Sequence, residues 1–155
     1  MEQYTIRKAT LTDLMTLKSF EQEIIRAERP YDPTLDEHPI SYYDLRELIL
    51  SNSAIVMVAE INARLIGSGY GQIREAKSYL IHESYAYLGF MYTHPGYRGK
   101  GVNKAIVEAL KDWSKSKGLT EIRLTVYKDN TKAIKAYEKA GFREHIVEMR
   151  TEVNL

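Results

Sequence analysis

Two stretches of this sequence hold residues whose types and spacing could do chemistry. The first is Tyr97-Arg98-Gly99-Lys100-Gly101-Val102-Asn103. A β-forming run, Tyr85 to Tyr92, leads into it, and an amphipathic helical pattern starts directly after it. The first N–H groups of a helix lack intrahelical partners, and the helix dipole favours negative charge there. Two glycines let backbone curl around phosphate oxygens without Cβ atoms in the way. With Arg98 and Lys100 beside them, a diphosphate fits; so does a tight strand-to-helix connection with two exposed bases. A P-loop would place Lys and Ser or Thr after its last glycine, where this chain has Val102 and Asn103. The dinucleotide pattern needs a third glycine where Lys104 stands. In the second stretch, Asn130, Ala133 and Tyr137 share one helix face by their spacing. Taken singly, they read as a cap, a filler and an amphipathic core residue.

Taken together, the two stretches resemble the GNAT superfamily of N-acetyltransferases. The acetyl-CoA loop of that family has the pattern Q/R-x-x-G-x-G/A, which aligns here with Arg98, Gly99, Lys100, Gly101, Val102 and Asn103 and is met at Arg98 and Gly101. Its later N-x-x-A-x-x-x-Y-x-K-x-G-F pattern is matched at every fixed position from Asn130 through Phe142. Asn103 departs from the first pattern by standing where the family has Gly or Ala. The resemblance covers the whole chain in element order, with its specific motifs between Leu88 and Phe142.

The resemblance implies that the strand before the loop and the strand after its helix splay apart to admit pantetheine. Met91 and Thr93 would offer backbone groups to pantetheine and the thioester carbonyl. Residues 98–103 would hold the diphosphate, and Asn130 and Ala133 would line the far wall. Tyr137 would protonate the departing thiolate. The acyl donor is then acetyl-CoA and the acceptor a primary amine of a small molecule or a peptide, with a homodimer common in the family. A non-catalytic acyl-CoA-binding regulatory module of the same fold is the alternative.

Many family members carry a Glu on the strand before the loop to deprotonate the amine. Here the nearby residues are Leu88, Gly89, Phe90 and Met91, and none is a base. The candidates are Glu28, Glu83 and water held by backbone carbonyls, with water or Glu28 favoured. His94 precedes the loop and reads either as a base or as an exposed turn residue.

Composition narrows the field further. There is no cysteine, which excludes disulfides, thiolate metal sites and a cysteine acyl-enzyme, and agrees with direct attack by the amine. The four histidines show no metal-ligand spacing, so no metal is expected. A net charge of +1 argues against a nucleic-acid partner. The longest apolar runs are too short to span a bilayer, and the first residues lack a secretory pattern, so a cytoplasmic protein is expected. From Glu21 to Glu47 eight acids face three bases, which suits a cationic acceptor or is a solvated face. Among the twelve tyrosines, Tyr42, Tyr43, Tyr85, Tyr87 and Tyr92 could line an acceptor pocket or form core and rim.

The elements that must position these residues follow from periodicity. Strands are expected at Tyr4 to Lys8, Ala54 to Ile61, Arg64 to Ile73, Tyr85 to Tyr92, Glu121 to Tyr127 and Phe142 to Thr151. Helices are expected after Thr12, from Ser41 to about Ser51, from Val102 to Gly118 and from Asn130 or Thr131 to Gly141. Asn62-Ala63 turns a hairpin, and the unit from Tyr85 to Tyr127 is a parallel βαβ crossover. Gly67, Gly69 and Gly71 fall on one strand face, leaving room for a helix or a ligand, with the helix preferred. The sum is an α+β domain over residues 1–155. Its mixed, mostly antiparallel central sheet is flanked by helices and contains one parallel strand pair, which the resemblance implies is splayed.

Overall fold

The computed structural model describes residues 3–154. By their contacts the residues form two compact units, 1–125 and 126–155. The first contains β1 (Thr5–Lys8), α1 (Leu14–Glu28), α2 (Leu45–Leu50), β2 (Ala54–Ile61), β3 (Arg64–Glu75), β4 (Ser84–Thr93), α3 (Val102–Ser116) and β5 (Ile122–Leu124). The second contains α4 (Thr131–Lys139).

The sheet runs β1-β2-β3-β4-β5, with β4 and β5 parallel and every other pair antiparallel. This is the expected mixed α+β sheet. The β2–β3 hairpin closes through Asn62 and Ala63, both in the left-handed region at φ 49° and 61°, the conformation a tight two-residue hairpin turn requires. The glycine row of β3 packs against α3. A Cβ on Gly67 would lie 2.9 Å from Val102, one on Gly69 2.8 Å from Ile106, and one on Gly71 2.9 Å from Trp113. The stripe Val102, Ile106, Leu110 and Trp113 is what this face of the sheet buries. On the other face, Leu17 and Phe20 of α1 and Leu45, Leu48 and Ile49 of α2 close a core with Val56, Val58, Tyr70, Phe90 and Tyr92.

Four expectations change. The second helix starts at Leu45 rather than Ser41. The buried Glu21 carboxylate accepts the backbone N–H groups of both Tyr42 and Tyr43 at 2.8 Å, which holds them out of helical geometry. Asp44 then caps α2 by accepting from Glu47 N at 3.1 Å. The fifth strand is shorter than expected, because register partners on β4 exist only at Ala86, Tyr87 and Leu88. Residues 142–154 form no strand among the described residues, and Ile146, Val147, Met149 and Val153 are exposed. Alternating β-formers specify a face, but a strand also needs an edge to pair with. The first helix also begins differently, through a short 3-10 turn at Leu11–Asp13 in which Asp13 reaches back to Thr10 N at 2.8 Å.

Candidate functional site

The site of the first unit begins where β4 leaves its neighbour. Pairing with β5 stops at Leu88, while β4 continues through Gly89 to Thr93. His94 N donates to Ile66 O of β3 at 2.8 Å, and backbone groups alternate sides along a strand. Tyr92 therefore turns its backbone toward β3, and Met91 and Thr93 turn theirs toward the side that β5 has left. On that side Arg98 Nε donates to Thr93 O at 3.2 Å. The splay matches the sequence reading.

A 3-10 turn at Pro95–Tyr97 follows, then the glycine turn. Gly99 and Gly101 both sit in the left-handed region, at φ 76° and 81°. Gly101 is the N-cap of α3, and the first intrahelical bond runs from Ala105 N to Gly101 O at 3.0 Å. The amides of Val102, Asn103 and Lys104 thus have no intrahelical acceptor. Arg98, Gly99, Lys100 and Gly101 are exposed, Asn103 is half-buried and Val102 is buried under the sheet. Among the described residues, a Cβ on Gly99 would meet nothing within 4 Å, and one on Gly101 only the Tyr4 hydroxyl at 3.8 Å. Packing does not demand these glycines. The left-handed backbone does, and the open volume above it fits an anionic group seated on the helix N-terminus.

That distinction yields a prediction. Asn tolerates the left-handed region better than other residues with a Cβ. Gly101→Asn is expected to keep the fold but weaken acetyl-CoA at least tenfold, about 1.4 kcal/mol, by filling the space above the helix N-terminus. Calorimetric titration of the folded variant with an unchanged dissociation constant would remove the turn from cofactor binding.

His94 is committed to the turn itself, since its Nδ1 accepts from Gly96 N at 3.0 Å. His94 is half-buried rather than exposed, and its Nε2 lies 3.3 Å from the Arg64 guanidinium. Glu83 is exposed at the far end of β4 from the glycine turn. Glu28 is half-buried at the C-terminus of α1. Burial pushes its carboxyl above the ordinary range, opposed by the Tyr42 hydroxyl. Of the other acids in its segment, Glu21, Asp32, Asp36 and Asp44 accept backbone N–H bonds, and Glu23 pairs with Arg26. Much of the acidic face therefore serves local structure. Among the described residues, no group of three or more His, Asp or Glu side chains could hold a metal ion. No helix among them is long and apolar enough to cross a membrane.

The sequence gives no sign of the bulge at Phe90. This aromatic residue lies in the left-handed region at φ 57°, where the β3–β4 register shifts. The bulge turns both Gly89 and Phe90 toward α1: Tyr70 lies across Gly89, while Phe90 packs 5.5 Å from the Tyr43 ring. Met91 then faces α3, against Gly69. Two hydroxyls replace the lost ladder bonds, because Phe90 N donates to the Tyr43 hydroxyl at 3.3 Å and the buried Ser68 hydroxyl donates to Phe90 O at 3.0 Å. A non-glycine residue in this conformation costs roughly 1–3 kcal/mol and persists only when its surroundings hold it. The pair Tyr43 and Ser68 does so, one residue before Met91. Ser68→Ala is expected to lower the melting temperature by a few degrees, consistent with about 1–2 kcal/mol for an orphaned buried carbonyl. Ser68→Thr should restore part of it, and a Ser68→Ala melting curve matching the parent would show that the bulge stands without this bond.

In the second unit, the Asn130 side chain accepts from Ala133 N at 3.3 Å and caps α4. Ala133, Ile134 and Tyr137 are its half-buried residues, at helical spacing. The Tyr137 ring meets Phe142 edge-on at 5.9 Å, and Gly141 ends the helix at φ 99°.

The sequence matches the acetyltransferase (GNAT) family over residues 18–142. An acetyltransferase of Pectobacterium atrosepticum is 30% identical over 99 residues, and the match spans 64% of each chain. The fold is similar to that of a mutant of the BH1408 protein from Bacillus halodurans, with a TM-score of 0.85 at 17% identity over 97% of this chain and 99% of that one. It is also similar to a predicted acetyltransferase from Clostridium acetobutylicum solved with acetyl-CoA, with a TM-score of 0.71 at 20% identity over 98% and 96% of the two chains. With most of its length matched by the family pattern and its sheet in the same arrangement, this chain belongs to the acetyltransferase (GNAT) family.

Proposed function

We propose that residues 1–155 act as one N-acetyltransferase domain that moves an acetyl group from acetyl-CoA directly to a primary amine of a small molecule or peptide. The observation that carries this reading is the β4 terminus. Its backbone groups at Met91 and Thr93 lie on the side vacated by β5, and it leads into a left-handed glycine turn at a helix N-terminus. Residues 98–103 would hold the diphosphate through α3 amides, with Arg98 and Lys100 adding charge. Met91 and Thr93 would orient the pantetheine arm and place a backbone donor near the acetyl carbonyl. Acetyl-CoA, when bound, supplies the acetyl group as an activated thioester. By the family pattern that Asn130, Ala133 and Tyr137 match, Tyr137 would hold the proton for the departing sulfur. The base is Glu28, directly or through one water, because a half-buried carboxyl with a raised pKa takes protons more readily than an exposed one.

β4 carries no acid, which leaves a second reading: a regulatory module that binds acyl-CoA without turning it over. Release of CoA thiol from acetyl-CoA, measured across a panel of amines, separates the two. The proposal expects thiol release above the blank that depends on the amine. Tight acetyl-CoA binding with release at the blank rate for every amine would favour the regulatory module.

A further inference from the structure

The face of the sheet toward α1 carries an arrangement that the cofactor turn and Tyr137 leave unused. Tyr70 and Arg74 of β3 and Tyr87 of β4 lie on it. Tyr70 is 4% exposed, and its ring lies so close over Gly89 that a Cβ there would collide with it. The Tyr43 ring stands 5.5 Å from the Tyr70 ring, and Tyr42 stands 5.7 Å from Tyr43. Tyr87 continues the strip 6.5 Å from Tyr70 and is anchored by its hydroxyl, which donates to Thr125 Oγ1 at 2.8 Å. The half-buried Arg74 guanidinium lies 3.7 Å over the Tyr87 ring, with Nε donating to Gln72 Oε1 at 3.2 Å. At the other end stands Glu28, whose charge reaches the Tyr43 hydroxyl.

Arg123 offers an internal comparison. It stacks in the same way, 4.0 Å over Tyr85, but its Nε pairs with Glu121 at 3.1 Å. Arg74 has no carboxylate within ion-pair distance among the described residues. Stacking fixes the guanidinium plane; Nε is taken by Gln72 and the guanidinium also bonds the Tyr70 hydroxyl, so the N–H groups that remain are the ones a carboxylate or phosphate can take by charge-assisted bonds. A charge held half-buried without an acid partner is costly to maintain and is stabilised when an anion arrives.

We propose that the strip from Glu28 through Tyr43 and Tyr70 to Arg74 is the acceptor subsite, and that the acceptor carries both an amine and an anionic group. The anion, a carboxylate or a phosphate, sits on Arg74, the connecting carbons lie along the half-buried Tyr43 and Tyr87 rings that the buried Tyr70 supports, and the amine turns toward Glu28. This rests on the acetyltransferase reading and adds the class of acceptor to it.

The test uses ω-amino carboxylates of increasing chain length, their methyl esters and the matching aminoalkyl phosphates. Calorimetric titration in the presence of CoA gives binding, and thiol release from acetyl-CoA gives turnover. At the best length, the free acid or the phosphate should bind about 10- to 100-fold more tightly than the ester, as expected for losing a hydrogen-bonded charge. The stronger of the two identifies the anion. Arg74→Gln should bring that ratio close to one, while Arg123→Gln should leave it in place. Equal binding of acid, phosphate and ester would overturn the proposal, as would a ratio that survives Arg74→Gln. Anion-dependent binding without thiol release would uphold the subsite and refute the acetyltransferase reading. Turnover without anion preference would do the reverse.

Discussion

Replacing Tyr137 by Phe is expected to lower kcat by about 10- to 1,000-fold while acetyl-CoA affinity changes little. Attack by an amine expels a thiolate, and a free thiol has a pKa of about 8.5, so proton donation to sulfur helps only moderately at neutral pH. The effect therefore falls at or below the usual range for a general acid. The hydroxyl is the only group removed, and the ring keeps its edge-on contact with Phe142 at 5.9 Å. A tyrosine that served only to pack α4 would give the opposite pattern, a lower melting temperature with nearly normal turnover. Measuring kcat, the acetyl-CoA dissociation constant and the melting temperature on the same preparation separates the two. A variant with parental kcat would leave the thiolate to depart unassisted or through water.

The second large effect is expected at Glu28. Replacement by Gln should lower kcat/KM by about 100- to 10,000-fold, the range for a lost general base. The pH dependence gives the sharper readout. A base acts in its ionised form, and burial at the end of α1 raises the Glu28 carboxyl above its ordinary range, with the Tyr42 hydroxyl opposing. The activity of the parent enzyme should therefore rise with pH along a limb above the usual carboxylate value of about 4.3. That limb should vanish in Glu28→Gln. If it persists unchanged in the variant, the proton goes to Glu83 or to water instead.

Local chemistry made the hairpin, the glycine row, α3 and the glycine turn before it legible in the sequence. Asn62-Ala63, the period-two glycines and Gly99-Lys100-Gly101 each act within a few residues of themselves. What the sequence hid depends on distant partners. The second helix has an acceptable start at Ser41, and it is displaced only because Glu21 of α1 takes the amides of Tyr42 and Tyr43. Phe90 has no local reason to adopt a left-handed backbone. The bulge exists because Tyr43 and Ser68 complete it from a loop and from the neighbouring strand. Arg74 belongs to none of the motifs, and only the pairing of β3 with β4 stacks it on Tyr87. Residues 142–151 show the converse, a good strand pattern to which the described structure gives no ladder partner.

The central claim is that this member of the family transfers acetyl from acetyl-CoA to nitrogen. The most direct test incubates the protein with isotopically labelled acetyl-CoA and an amine that supports thiol release, then identifies the product by mass spectrometry and counts it against free CoA. The account predicts one N-acetylated acceptor for each CoA thiol released. Label recovered as free acetate with the amine unmodified, or acetyl found on an oxygen of the acceptor, would contradict it.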